Sequence, residues 1–258
     1  MRKNDANKTV SSMKILSYNI HSCRNMDRKY NPERTAKTIL RFKADIIALQ
    51  EVDVGQKRSG YINQAAYIAD YLGMSHNFFT LKESPGGQYG LAILSRFPAE
   101  DLNCGYLPAV PPAKKIENRG VMMAQMKTPQ GDVRVLNTHL GLRAKDRKLQ
   151  AAALVSSRWV CDQQYPKTPV ILCGDFNAGP RSIVYKTITQ CLDDIQKVYK
   201  GRLYPKATFA SWLPIRRIDH MFISPHFSPL EVQVPLDYET RMVSDHLPLY
   251  ARLALTSA

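Results

Sequence analysis

No stretch of this chain approaches the ~18 consecutive apolar residues that a membrane-spanning helix requires. The opening MRKNDANKTVSS is basic and polar, with no apolar run ahead of the first strand-like segment, so a signal peptide is not expected either. Cysteines are few and scattered: Cys23, Cys104, Cys161, Cys173 and Cys191 are odd in number and include no CxxC pair. This argues against a disulfide framework or thiolate metal centre and favours free thiols in a reducing cytoplasm. There is no GxSxG elbow, and no Ser or Cys stands ahead of a base as a nucleophile would. Repeats, linkers and low-complexity tracts are also missing, which excludes solenoids and flexible arrays. Acidic residues are in the minority, 22 against 36 basic ones, for a net charge of +14. That excess favours a polyanionic partner or an anionic membrane surface for peripheral contact, with a plain solvated surface as the equal alternative, and it carries no information about fold.

What is present reads as an ordinary folded protein: 258 residues, 44% hydrophobic and 22% charged. One domain of this size buries roughly 75% of its extended-chain surface. Eight strand-like segments follow one another: MKILSYNI, ADIIALQEV, YGLAILSRF, VMMAQMKT, DVRVLNTHL, PVILCGDFN, RIDHMFIS and LPLYARLAL. Several are nearly continuous apolar runs, as strands covered on both faces should be. Helices are expected from Asn31, as a cap before Pro32, to about Phe42, from Gln64 to Leu72, from Lys145 to about Gln164, with Trp159 as a core residue, and from Arg181 to Cys191. This alternation predicts an α/β fold of layered sheets wrapped by helices. Residues 1–12 are expected to form a flexible basic segment and residues 13–258 a single, monomeric domain.

The apolar runs end in chemistry. Asn19 closes the first, with His21 just beyond; Gln50-Glu51 lies near the end of the second; Asn137-Thr138-His139 closes a later one. VILCGDFNAGP delivers Asp175 and Asn177 into a turn, Asp219 opens RIDHMFIS, and Asp245-His246 opens SDHLPLY. A lone polar strand end is commonly a satisfied cap, but six together point to one shared rim, where α/β folds build sites. Glu51, Asp175 and Asp245, with the carboxamides of Asn19 and Asn177, are hard oxygen donors suited to Mg²⁺ or Mn²⁺ rather than Zn²⁺. His139 and His246 add groups that titrate near neutrality. These are the parts needed for metal-assisted attack of water on a phosphate ester.

In order and spacing, SYNIH, LQEVD, YGLAILSR, NTHL, GDFN, RIDHMFIS and SDHLPL resemble the endonuclease/exonuclease/phosphatase superfamily, the deoxyribonuclease-I-like fold, from about Met13 to Leu253. The resemblance implies a four-layer α/β sandwich with two central mixed β-sheets flanked by helices, and Mg²⁺-dependent phosphoester hydrolysis. It implies that Asn19 and Glu51 bind or orient the metal with Asp245 near it, that Asp175 positions the water and that Asn177 contacts the scissile phosphate. His246, oriented by Asp219, would be the general base or its electrostatic equivalent, and His139 would stabilise the transition state or assist the leaving group. Which of Asp175 and His246 takes the proton stays open. His139 stands where the abasic-site repair nucleases carry Tyr. The chain is therefore similar to the branch holding deoxyribonuclease I, sphingomyelinases, inositol-phosphate phosphatases and deadenylases, and to small bacterial members of it.

Specificity is expected from rim residues Arg58, Arg119, Arg143, Trp212 and Arg217. Trp212, followed by Arg216 and Arg217, is able to stack on a base, to wedge into a lipid interface or to pack its loop onto the body. The leading expectation is a phosphodiesterase or endonuclease acting on nucleic acid. The alternative is a phosphodiesterase or phosphatase acting on phospholipid or inositol phosphate.

Overall fold

A computed structural model of the chain describes residues 11–111, 117–161, 167–201 and 205–256. The basic segment expected at residues 1–12 lies, up to residue 10, outside the described residues. In chain order the elements are β1 (Met13–Asn19), α1 (Pro32–Leu40), β2 (Ile46–Val54), α2 (Gln64–Leu72), β3 (Ser75–Ser84), β4 (Gly87–Ser95), β5 (Ala99–Tyr106) and β6 (Gly120–Thr128). There follow β7 (Gly131–His139), α3 (Ala144–Leu154), β8 (Val170–Asp175), α4 (Ile183–Ile188), β9 (Asp193–Asp194) and α5 (Ile195–Val198). The chain closes with β10 (Asp219–Ile223), β11 (Phe227–Gln233), α6 (Tyr238–Val243) and β12 (Leu249–Leu255).

The strands form two six-stranded mixed sheets, ordered β11-β12-β1-β2-β4-β3 and β5-β6-β7-β8-β10-β9. Alternation along each strand builds four layers, because successive side chains leave opposite faces. On β1 and β2, Ile15 and Ala48 face the second sheet, where they meet Met122, Val135, Ile171 and Met221. Their neighbours Leu16, Tyr18, Ile47 and Leu49 face outward under Ala36 and Ile39 of α1 and Ile68 and Leu72 of α2. The second sheet mirrors this: Val121, Leu136 and Leu172 face Leu154 of α3, Val184 and Ile188 of α4, and Trp159. Both faces of each inner strand are therefore apolar.

The eight apolar runs of the sequence become the eight inner strands, and the four edge strands β3, β5, β9 and β11 carry no such run. An edge strand keeps one side in solvent and tolerates AEDLNCGY, or FSPLEVQ with a proline at its irregularity near Pro229. The first helix starts where its cap predicts, and the helix expected over Arg181–Cys191 spans only Ile183–Ile188, behind a Ser182 cap. Asn31 accepts from Arg34 N at 2.9 Å and Ser182 from Tyr185 N at 3.1 Å. The third helix is shorter than its pattern suggests, ending at Leu154 before turns that carry Trp159 into the core at 3% exposure; the expected end at Gln164 lies outside the described residues. No helix among the described residues is long and apolar enough to cross a membrane.

Candidate active site

Parallel pairing brings the chemical strand ends to one rim. β1 runs beside β2 with Asn19 opposite Gln50, and β7 beside β8 with His139 opposite Asp175. β10 is antiparallel to β8, so Asp219, its first residue, also lies opposite Asp175. A buried amide contact ties the two sheets together below the site. Gln50 Nε2 donates to Asn137 Oδ1 at 2.7 Å, while Asn137 Nδ2 donates to the carbonyls of Leu49 (2.8 Å) and Ala92 (2.9 Å). Neither role was readable in the sequence, because which neighbour a strand-end amide meets is decided by the opposing sheet.

Two backbone departures aim the side chains. Between Leu49 and Val52 the β2–β4 register shifts, and Glu51 adopts φ +56° at this bulge. Asn177 adopts φ +47°, in a region that costs a non-glycine residue of order 1–3 kcal/mol and persists only where the surroundings impose it. Gly174, at φ +144°, is the opposite case: a Cβ there would lie 1.9 Å from the Thr138 carbonyl oxygen. Its lack of a side chain lets β7 lie close enough to set His139 beside Asp175.

Asp175 is the centre. Its Oδ1 accepts from Asn177 N at 2.8 Å. Its Oδ2 accepts from Asn19 Nδ2 at 3.1 Å and lies 3.5 Å from His139 Nε2 and 3.6 Å from His246 Nε2. Burial, the largest influence, pushes its carboxyl up to about 7, with the nearby charges of Asp219 and Glu51 adding and His246 opposing.

The two imidazoles differ in what holds their far nitrogen. His246 Nδ1 donates to Asp219 Oδ2 at 2.9 Å, and Thr208 Oγ1 donates to the same oxygen at 2.5 Å. Burial alone favours the neutral ring, but Asp219, Asp175 and Asp245 outweigh it and raise His246 to about 10. His139 Nδ1 instead accepts from Arg119 Nη1 at 3.0 Å, and the guanidinium is paired with Glu117 at 3.1 Å. Burial first and the Arg119 charge second push His139 well below the usual histidine range. A neutral ring that accepts at Nδ1 carries its proton on Nε2, toward Asp175.

Glu51 completes the set. Its Oε1 accepts from Asn19 Nδ2 at 3.1 Å, and burial raises its pKa more than that bond lowers it. Donor atoms of Glu51, His139 and Asp175 lie within 4.8 Å of one another, as do those of Asp175, Asp219 and His246. An under-compensated carboxylate among further oxygens at the floor of a cleft is what a hard divalent cation satisfies, so the residues fit one. Asp245 belongs to neither cluster among the described residues; its Oδ1 lies 3.5 Å from His21 Nδ1.

The rim residues part company. Arg58 and Arg119 line the cleft, whose volume is ≈ 490 Å³. Arg143 does not: its guanidinium grips Asp146 at 2.5 and 2.7 Å and the Val110 carbonyl at 2.9 Å, tying down the start of α3. Arg217 is buried at 7% exposure and paired with Asp194 at 2.5 Å, so it is withdrawn from substrate. Trp212 stands 65% exposed outside the cleft, beside Leu213 at 54%, which sets aside the reading in which it packs onto the body. His220 is a core residue whose Nε2 donates to the Ala178 carbonyl at 2.8 Å.

Residues 16–246 match the model of the Endonuclease/Exonuclease/phosphatase family. YbhP of Escherichia coli strain K12 is 28% identical over 255 residues, covering 95% of this chain and 97% of that one. The human nocturnin catalytic domain, solved with bound sulfate, superposes with a TM-score of 0.76 at 23% identity over 95% of each chain. The mannosyl-6-phosphatase of Bacteroides thetaiotaomicron does so with a TM-score of 0.76 at 21% identity, over 94% of this chain and 100% of its own. These two structural likenesses concern the fold.

Proposed function

Because the chain belongs to the endonuclease/exonuclease/phosphatase family, we propose that it is a divalent-metal-dependent hydrolase of phosphoester bonds, with Mg²⁺ or Mn²⁺ as its ion. The observation that carries this reading is the convergence of Asn19, His139 and His246 on one oxygen of Asp175, with Glu51 adjacent. Glu51, with Asn19 and Asp175, would hold the ion, which screens the phosphate and the negative charge that develops in the transition state. Asp175 Oδ2 and His246 Nε2 face each other at 3.6 Å and take the proton of the attacking water as a pair, since groups this close titrate together. Asp219 and Thr208 fix the ring of His246 from behind. Asn177 and the Nε2–H of His139 donate to phosphoryl oxygens as charge accumulates there.

The walled cleft favours a compact phosphate ester whose scissile group reaches its floor. Nucleic acid is the second reading, supported by the +14 charge and by Trp212 exposed beside Arg216. The test is release of phosphate from small esters and nicking of supercoiled plasmid, each with Mg²⁺ and with EDTA, using His246→Ala as control. Metal-dependent, His246-dependent turnover of either substrate supports the hydrolase, and the substrate turned over chooses the reading. Turnover of neither, across a panel of phosphate esters, removes the assignment.

A further inference from the structure

The cleft that holds Asp175 is also lined by Arg24, Arg58 and Lys82, with Tyr30 and Tyr89. Arg58 is fixed there. Its Nε donates to Asp53 Oδ2 at 2.8 Å and its Nη2 to Asp53 Oδ1 at 2.6 Å and to Ser22 Oγ at 3.1 Å. Asp53 is fully buried and is held in turn by Ser59 Oγ at 3.0 Å. The guanidinium is thus pinned at the surface with half its area open and its Nη1 edge uncommitted among the described residues. A cation positioned this way loses little freedom on meeting an anion.

Lys82 sits at the irregularity in β3, opposite Tyr89, and Arg24 lies on a bridge to Tyr30. Neither forms an ion pair among the described residues. Of the carboxylates that line the same cleft, Glu51 and Asp175 belong to the floor and Glu117 is paired with Arg119. Arg24, Arg58 and Lys82 thus bring basic groups, with two tyrosines, to the cleft, and the acid that holds Arg58, Asp53, is fully buried. Phosphoester cleavage at Asp175 gives these three basic side chains no role of their own.

We propose that Arg24, Arg58 and Lys82 form a second anion subsite, so that the preferred substrate carries a further phosphate, or a comparable anionic group, beyond the one that is hydrolysed. This rests on the hydrolase reading of the adjoining floor. The second anion is supplied either by a small bisphosphorylated ester or by the terminal phosphate of a short oligonucleotide, and matched pairs separate the two sources. Glucose 6-phosphate is compared with glucose 1,6-bisphosphate, and the dinucleotide TpT with its 5′-phosphorylated form pTpT, each with the intact chain and Mg²⁺.

Charge-assisted hydrogen bonds of this kind raise kcat/KM by about tenfold or more, chiefly through KM, for the doubly charged member of the pair that matches the natural source. The double variant Arg24→Ala/Lys82→Ala is expected to remove most of that advantage. Equal turnover within both pairs, or an advantage that survives the double variant, overturns the subsite. Binding is read separately by calorimetry on His246→Ala with Mg²⁺. If no pair is hydrolysed but the doubly charged member still binds more tightly, and loses that preference when Arg24 and Lys82 are also replaced, the subsite stands and the hydrolase reading falls. Hydrolysis without preference does the reverse: the subsite falls and the hydrolase reading stands.

Discussion

His246 and His139 approach the same carboxylate oxygen to within 3.6 and 3.5 Å, and both are buried, yet the fold holds them in opposite states. Burial acts on both in the same direction. The partner at Nδ1 makes the difference: the carboxylate of Asp219 on one side, the guanidinium of Arg119 on the other. Two identical side chains a few ångströms apart thereby become a ring biased toward its protonated form and a ring held neutral. Chemical identity at a site is set as much by what stands behind a residue as by the residue itself.

That difference can be broken at several points. His246→Ala is expected to lower kcat/KM by about 10²–10⁴-fold, the usual contribution of a positioned proton-transfer group, in steady-state assays at saturating Mg²⁺. A weaker effect there would move proton transfer wholly to Asp175. His220 sharpens the contrast from outside the cleft. Burial, then Arg217, lowers its pKa to about 4, against 6.5 in the unfolded chain. The unfolded chain therefore binds the extra proton first as pH falls, and stability present above pH 6.5 is lost on the way down to pH 4, by about 3 kcal/mol. The raised carboxyl of Asp175 acts in the opposite direction over the same range, so the measurement is the difference in melting temperature between the chain and His220→Phe, which should shift in favour of the variant as pH falls from 6.5 to 4.

Asp219→Asn keeps the shape but removes the charge behind His246. Loss of such a supporting partner costs about 10–100-fold in activity, and ¹⁵N NMR of the ring in metal-free protein should show its pKa displaced downward. Arg119→Met does the converse for His139, freeing Nδ1 and letting the ring titrate nearer the ordinary range. Its cost in kcat is expected to be the smallest of the series, about tenfold or less. If the two substitutions left both rings unchanged, the partners at Nδ1 would not be what separates the two histidines.

How much of this was legible in the sequence follows the same division between a residue and its surroundings. The inner strands announced themselves because both faces are covered, as in VILCGD or KILSY, whereas SHNFFTLKES and AEDLNCGY hide their strand character behind a solvated side. Asn19, Glu51, His139, Asp175, Asn177, Asp219 and His246 sit at strand ends, where chain direction alone brings them to one rim, and the structure gathers them there. Arginines gave no such guidance. Arg119, Arg143 and Arg217 look alike in the sequence, but one backs a histidine, one ties down a helix and one is sealed against Asp194. A long side chain's destination depends on the carboxylate that folding brings within its reach. Arg24 and Lys82 escaped notice because nothing in the sequence shows which long side chains fold onto the cleft, and the Thr208–Asp219 and Gln50–Asn137 contacts because their partners lie on other elements.

Gly174 touches neither ion nor substrate in any step described above, and its only contribution is the absence of a side chain 1.9 Å from a carbonyl. In a saturation mutagenesis survey scored by turnover, this position would rank with the acids and histidines, because every replacement pries β7 from β8 and separates His139 from Asp175. Intolerance to substitution would then report a spacing, and ranking residues by lost activity would assign chemistry to a residue that has no side chain to supply it.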